Sequence, residues 1–172
     1  ENKLTVISDY VLIEEAYVRM GQTFPLKEVR ESAYVIDFPI RNSDGNLELK
    51  EVVLNKSNDY YEGYLEYTYE NIFIQAFKLL GIDYSWGDKS RLGRDCSSTM
   101  NAVYKCFGFM MPRNTSNQKA IPGYGINVSG VTQSSMKSYQ AGTLIFTSSH
   151  VMMYIGENED GVAYLLHNTN AG

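Results

Sequence analysis

Over the first third of the chain, apolar residues fall in short or alternating runs, at residues 4–6, 10–13, 17–19, 33–38 and 51–54. That period predicts strands. Gly21, Pro25, Pro39 and the polar stretch 42–46 punctuate them as turns. Short strands at such spacing predict a small barrel or sandwich ending near Tyr67. From Thr68 the period changes: Ile72, Phe73, Ala76, Phe77, Leu79 and Leu80 recur at helical spacing. Thr68 reads as the N-cap of this helix, Glu70 suits its first turn, and Gly81 stops it. A loop at 82–94, rich in Gly and aromatic residues, leads to a second helix that Asp95 caps and Gly108 ends. Cys96, Met100, Val103, Tyr104 and Phe107 share one face of it. After Pro112 the chain reads as a long polar loop with Gly123, Gly125 and Gly130. Strands at 143–146, 150–155 and 162–167 close it, the last two forming a hairpin turned at 157–161. The order predicts an α+β fold.

Composition narrows the function classes. With 172 residues, 44% hydrophobic and 20% charged, the chain suits one medium domain or two small ones. Whole-chain disorder is excluded by that apolar content. Fifteen Lys and Arg against 20 Asp and Glu give a net charge of −5. That balance argues against a nucleic-acid binder, which lives on phosphate neutralisation. No apolar run approaches the ~20 residues of a membrane span. No leader-like segment opens the sequence, so the expectation is an intracellular protein or a processed or trimmed piece of a longer one.

Candidate chemistry comes down to two cysteines, Cys96 and Cys106, and two histidines, His150 and His167. The cysteines fall ten residues apart on one predicted helix, about 15 Å of rise, whereas disulfide Cα atoms lie within ~7 Å. They are not expected to pair. Neither pair matches the short ligand spacing of zinc sites, so no metal or cofactor is expected. Cys106 reads as a small core residue. Cys96 is different: it opens a helix, where the partial positive charge stabilises a thiolate and free N–H groups can hold an oxyanion. Its Asp and Ser neighbours argue against burial. A thiolate needs a proton carrier, and histidine is the usual one. Across the predicted hairpin His150 and His167 can be neighbours, so His167 can orient His150 as the third member of a triad does.

Five blocks then carry a resemblance: Tyr84-Ser85-Trp86-Gly87, Arg94-Asp95-Cys96-Ser97-Ser98, Pro112-Arg113-Asn114-Thr115-Ser116-Asn117-Gln118, Ala141-Gly142-Thr143-Leu144-Ile145-Phe146, and His150-Val151-Met152-Met153-Tyr154-Ile155-Gly156. In order and spacing they resemble the NlpC/p60 family of cell-wall cysteine peptidases. The resemblance implies a papain-like α+β domain at 68–172 that cleaves peptidoglycan stem peptides or muropeptides, between γ-D-glutamate and the diamino acid. Cys96 is then the nucleophile, His150 the base and His167 the orienting residue. Asp95 would bind the free amine of the stem peptide, Ser97 would line the same site, and Tyr84 would donate toward the substrate carbonyl. Arg113 and Gln118 match positions that read as structural. Val18-Arg19-Met20-Gly21 and Gly63-Tyr64-Leu65 resemble blocks of a bacterial SH3-like barrel, which would occupy 1–67.

Two positions depart from the family pattern, Asp88 and Ser98, each where glycine is usual. The 157–161 turn is longer than usual, and relatives continue beyond the end of this chain. The implied location is extracellular or in the cell envelope, with cytoplasmic muropeptide recycling as the alternative. Two other functions fit the same residues: a non-hydrolytic cell-wall peptide binder, and an amidase or acyltransferase on a papain-like core.

Overall fold

The computed structural model describes residues 2–122 and 130–170, so Gly123 and Gly125 of the expected loop lie outside the described residues. The N-terminal part is built from β1 (Lys3–Val6), β2 (Tyr10–Ile13), β3 (Ala16–Arg19), β4 (Thr23–Val29), β5 (Ala33–Arg41), β6 (Leu47–Asn55) and β7 (Tyr60–Glu62). They pair in the order β6-β5-β4-β1-β7, with β2 and β3 as a separate hairpin. Among the described residues this sheet stays open, with β6 and β7 as its edges. Alternate residues point one way, so Leu4, Val6, Phe24, Ile36, Phe38 and Val52 gather with Ile13 and Val18 in one apolar cluster.

Two of the expected turns are strand interior. Pro25 stands opposite Lys3 within β4, and Pro39 opposite Leu49 within β5. The fixed φ of proline suits extended backbone and its cost is one N–H, so neither residue ends its strand. β4 escaped the sequence reading because it is mostly exposed and therefore carries little apolar alternation.

The C-terminal part holds α1 (Tyr69–Phe77), α2 (Cys96–Lys105), α3 (Thr115–Lys119), α4 (Gln133–Met136), β8 (Leu144–Phe146), β9 (Val151–Glu157) and β10 (Ala163–Leu166). The three strands form an antiparallel sheet in the order β10-β9-β8. Thr68 starts α1 by accepting a hydrogen bond from Asn71 N at 3.2 Å. The expected polar loop after Pro112 contains α3 and α4. Met136 apart, their residues are polar, so no apolar period marks them; α4 is held instead by a capping box between Thr132 and Ser135.

A second apolar cluster joins these elements: Ile72 and Ala76 of α1, Met100 and Val103 of α2, Val151 and Met153 of β9, and Leu166 of β10. Met20, from the N-terminal part, is buried in it too. The two parts meet along α2. Gly21 has φ +82°, and a Cβ on it would stand 2.5 Å from Lys105 Cβ and 3.0 Å from the Ala102 carbonyl. Leu65 N donates to the Cys106 carbonyl at 2.9 Å, and Lys78 Nζ to the Ile7 carbonyl at 2.9 Å. Cys106 is buried at this seam, and burial pushes its thiol up to about 12. Both cysteines are free thiols.

Candidate active site

The first turn of α2 is fixed by its cap. Asp95 accepts the Ser98 N–H at 2.9 Å, and the Asp95 N–H donates to Ser98 Oγ at 3.0 Å. The turn is buried, which differs from the sequence expectation: Cys96 is only 6% exposed. The cover comes from residues 112–118, where polar groups bond to the helix. Gln118 Nε2 donates to the carbonyls of Ser97 (3.2 Å) and Pro112 (3.0 Å), and Asn101 Nδ2 donates to Pro112 at 2.8 Å. Thr115, at the start of α3, then lies with its Oγ1 3.6 Å from Cys96 Sγ.

Asp95 is more than a cap. Arg113 reaches its two carboxylate oxygens at 3.0 and 2.7 Å, a bidentate pair. Ser97 Oγ donates to it at 3.1 Å and Gly87 N at 3.0 Å. Burial pushes this carboxyl upward. The Arg113 pair and the N–H groups of Ser98 and Gly87 outweigh that, leaving it below the ordinary carboxylate range. With both oxygens engaged, an incoming ammonium reaches Asp95 only by sharing or displacing Arg113. Tyr84 is half-buried and pairs in a short bridge with Arg94. Burial raises its hydroxyl, so Tyr84 keeps its proton and remains a donor.

The histidines stand at the base of the β9–β10 hairpin, His150 just before β9 and His167 just after β10. Leu166 pairs with Met153, and that register brings the two rings together. His150 Nε2 and His167 Nδ1 are 2.9 Å apart, with the ring planes at 80°. One proton sits between these nitrogens. When His150 Nε2 carries it, His150 Nδ1 is bare and can accept a proton from a thiol. Burial, then His167, pushes the His150 imidazolium below its ordinary 6.5.

The two halves of the candidate site are tied together beside Cys96 and the histidines. Asn168, which follows His167, donates Nδ2 to the Arg94 carbonyl at 3.0 Å, and Arg94 immediately precedes Asp95. Ser85 N donates to the same carbonyl at 2.9 Å. Helix α2 also packs on β9. The structure thus joins His150 to His167 and gathers Asp95, Ser97 and Cys96 in one helical turn. Among the described residues Cys96 Sγ has its polar contact with Thr115 and none with His150. Nor do three or more His, Cys, Asp or Glu side chains converge on one point among them. Sequence reasoning gave no part to Thr115 or Asn168. Thr115 lies inside a quoted block, and Asn168 adjoins a predicted site residue, so position was the available signal.

Comparison with known proteins places the fold. The matched stretch of dipeptidyl-peptidase 6 from Lysinibacillus sphaericus is 28% identical over 88 residues, covering 51% of this chain and 30% of that protein. The gamma-D-glutamyl-L-lysine dipeptidyl-peptidase of Bacillus subtilis (strain 168) is 29% identical over 113 residues, 61% of this chain and 33% of that protein. The chain therefore spans about a third of the length of these curated relatives. Among solved structures, an NlpC/P60 family protein from Bacillus cereus ATCC 10987 superposes with TM-score 0.67 at 21% identity, over 99% of this chain and 60% of that one. An NlpC/P60 endopeptidase from Photobacterium damselae subsp. piscicida gives 0.66 at 19% identity, over 95% and 40%. At such identities the likeness is one of fold. The NlpC/P60 family profile itself matches residues 81–170, the stretch that carries both cysteines, both histidines and the loops around them, and the chain belongs to the NlpC/P60 family.

Proposed function

We propose that this protein is a cysteine peptidase that hydrolyses peptidoglycan stem peptides at the bond between γ-D-glutamate and the diamino acid. The observation that carries the reading is the 2.9 Å contact between His150 Nε2 and His167 Nδ1 at the mouth of a hairpin packed on the cysteine helix. It leaves His150 one free nitrogen and fixes which one. The names of both bacterial dipeptidyl-peptidases support a peptidase, and that of the Bacillus subtilis protein supports the class of substrate.

In this mechanism His150 Nδ1 takes the Cys96 proton and the thiolate attacks the γ-glutamyl carbonyl. The Cys96 backbone N–H, at a helix N-terminus, and the Tyr84 hydroxyl stabilise the oxyanion. His150 returns the proton to the departing amine, leaving a thioester on Cys96. It then removes a proton from water, whose attack releases the acid and restores the thiol. Ser97 lines the site, and Asp95 meets the free amine of the stem peptide in exchange with Arg113, which is partly exposed. Residues 1–67 act as a bacterial SH3-like domain beside a catalytic domain at 68–172, and the protein works in the cell envelope or outside it.

The test is incubation with stem tripeptides carrying lysine or diaminopimelate, with products read by mass spectrometry. Release of L-Ala-γ-D-Glu from either is the expected result. Intact tripeptides, or cleavage at the L-Ala bond instead, would overturn the assignment.

A further inference from the structure

Asp88 and Ser98, the two positions that the resemblance marks as departures, touch each other. Asp88 Oδ1 accepts the Ser98 hydroxyl at 2.7 Å and also the Asp95 N–H at 3.1 Å. Its other carboxylate oxygen lies 3.7 Å from Arg19 Nη1 and 3.5 Å from Arg113 Nη2. Arg19 belongs to β3 in the N-terminal part and also donates to the carbonyls of Leu92 (3.3 Å) and Gly93 (2.8 Å). Asp88 holds φ +53°, a left-handed conformation that favours glycine. A carboxylate is thus kept where the backbone would rather have no side chain. Beside it, Gly87 N donates to the Asp95 carboxylate, so this one turn grips Asp95 by both its N–H and its side chain.

We propose that Asp88 is a positioning residue for Cys96. Paired with Ser98, it fixes the start of the cysteine helix and ties it to Arg19 of the N-terminal strands. This rests on the reading of Cys96 as the nucleophile. Asp88 touches none of the reacting atoms and acts through the residue before Cys96 and the residue two after it. Removing Asp88 alone takes one of two acceptors from each donor: the Ser98 hydroxyl keeps the Asp95 carbonyl at 3.2 Å, and the Asp95 N–H keeps Ser98 Oγ. Removing the Ser98 hydroxyl as well leaves the Asp95 N–H with neither side-chain acceptor, so the second change compounds the first.

The test is a double-variant cycle in the full chain. One readout is kcat and KM on the stem tripeptide. The other needs no substrate: the rate at which iodoacetamide alkylates Cys96 across pH, with buried Cys106 as the internal control. Asp88→Gly is expected to lower kcat about tenfold with KM within about twofold. Its Cys96 alkylation should slow, while the melting temperature holds because glycine suits this φ. Asp88→Gly/Ser98→Gly is expected to lose more than the two single losses multiplied, and Asp88→Asn, which keeps the acceptor, to lose less than Asp88→Gly. Unchanged kcat and alkylation in Asp88→Gly, or losses that simply multiply in the double variant, overturn the proposal. If Asp88→Gly does not fold, Ser98→Ala carries the test, and unchanged kcat and alkylation in it overturn the proposal equally. A wild-type chain that cleaves no stem peptide, yet shows slowed alkylation in Asp88→Gly and a more than multiplied loss in the double variant, overturns the proposed function and supports the positioning role.

Discussion

His150 Nε2 and His167 Nδ1 share a hydrogen bond of 2.9 Å, and this contact decides which nitrogen of His150 is left for chemistry. A base and its orienter are not equal partners. His150→Ala is expected to lower kcat/KM about 10³-fold, the range of a lost general base. His167→Ala should cost clearly less, because the imidazole survives and loses only its partner. Steady-state kinetics on folded variants checks this, and equal losses would mean that the two roles are exchanged or shared.

The pH dependence follows from the environment of His150. Burial and its histidine neighbour hold its imidazolium below the ordinary 6.5, so the neutral, basic form persists into weak acid. The acid limb of the kcat/KM profile is therefore expected below that value. The same shift bears on folding: between the folded pKa and 6.5 the unfolded chain binds more protons than the folded one. This group's contribution to stability accordingly falls as pH drops through that window. An acid limb at or above the ordinary histidine value in His-dependent turnover would contradict the assignment.

Arg113 and Asp95 form the charged clasp over the helix start. Arg113→Ala leaves a buried carboxylate short of two donors, expected to cost about 1–3 kcal/mol in urea unfolding. Since the Arg113 side chain is 42% exposed, the lower end is expected. The wild-type carboxyl lies below its ordinary 3.8, so its contribution is present above that pH and is lost as pH falls through the folded pKa. Without Arg113 the folded pKa rises, and acid unfolding should begin at a higher pH. Acid midpoints that coincide in the two proteins would contradict this.

Much of the site could be read from the sequence because it is local. The Asp95 cap, the Cys96 helix and the hairpin between the histidines each write a cap, a 3.6-residue period or an alternation into the chain. What escaped is non-local or unpatterned. β4 carries too little apolar alternation, and α3 and α4 are short and polar, held by caps and side-chain bonds. The contact between Asp88 and Ser98 joins the turn at Asp88 to a helix, and the link from Asn168 to the Arg94 carbonyl bridges a sequence separation of 74. No periodicity encodes either one. The burial of Cys96 was misjudged for the same reason: its cover, from Thr115 and Gln118, arrives from a segment that reads as loop.

The seam between the two parts makes a stability prediction that is separate from chemistry. Gly21→Ala would drive a Cβ against Lys105 and the Ala102 carbonyl at a φ of +82°. A loss of about 2–4 kcal/mol is expected from strain and overpacking together. Gly81→Ala has a similar φ, +80°, with nothing within 4 Å of the added atom. It should show the backbone cost alone, about 1–2 kcal/mol. Chemical denaturation of the two variants isolates the contact, and equal losses would mean that the seam at Gly21 yields freely.

The account turns on Cys96 as the nucleophile of amide hydrolysis. Its most direct test is a parallel digestion of L-Ala-γ-D-Glu-diamino acid tripeptide by the wild-type chain and by folded Cys96→Ala, with the products weighed by mass spectrometry. The account predicts L-Ala-γ-D-Glu and free diamino acid from the wild type and intact tripeptide from the variant. The same products at the same rate from Cys96→Ala would contradict it.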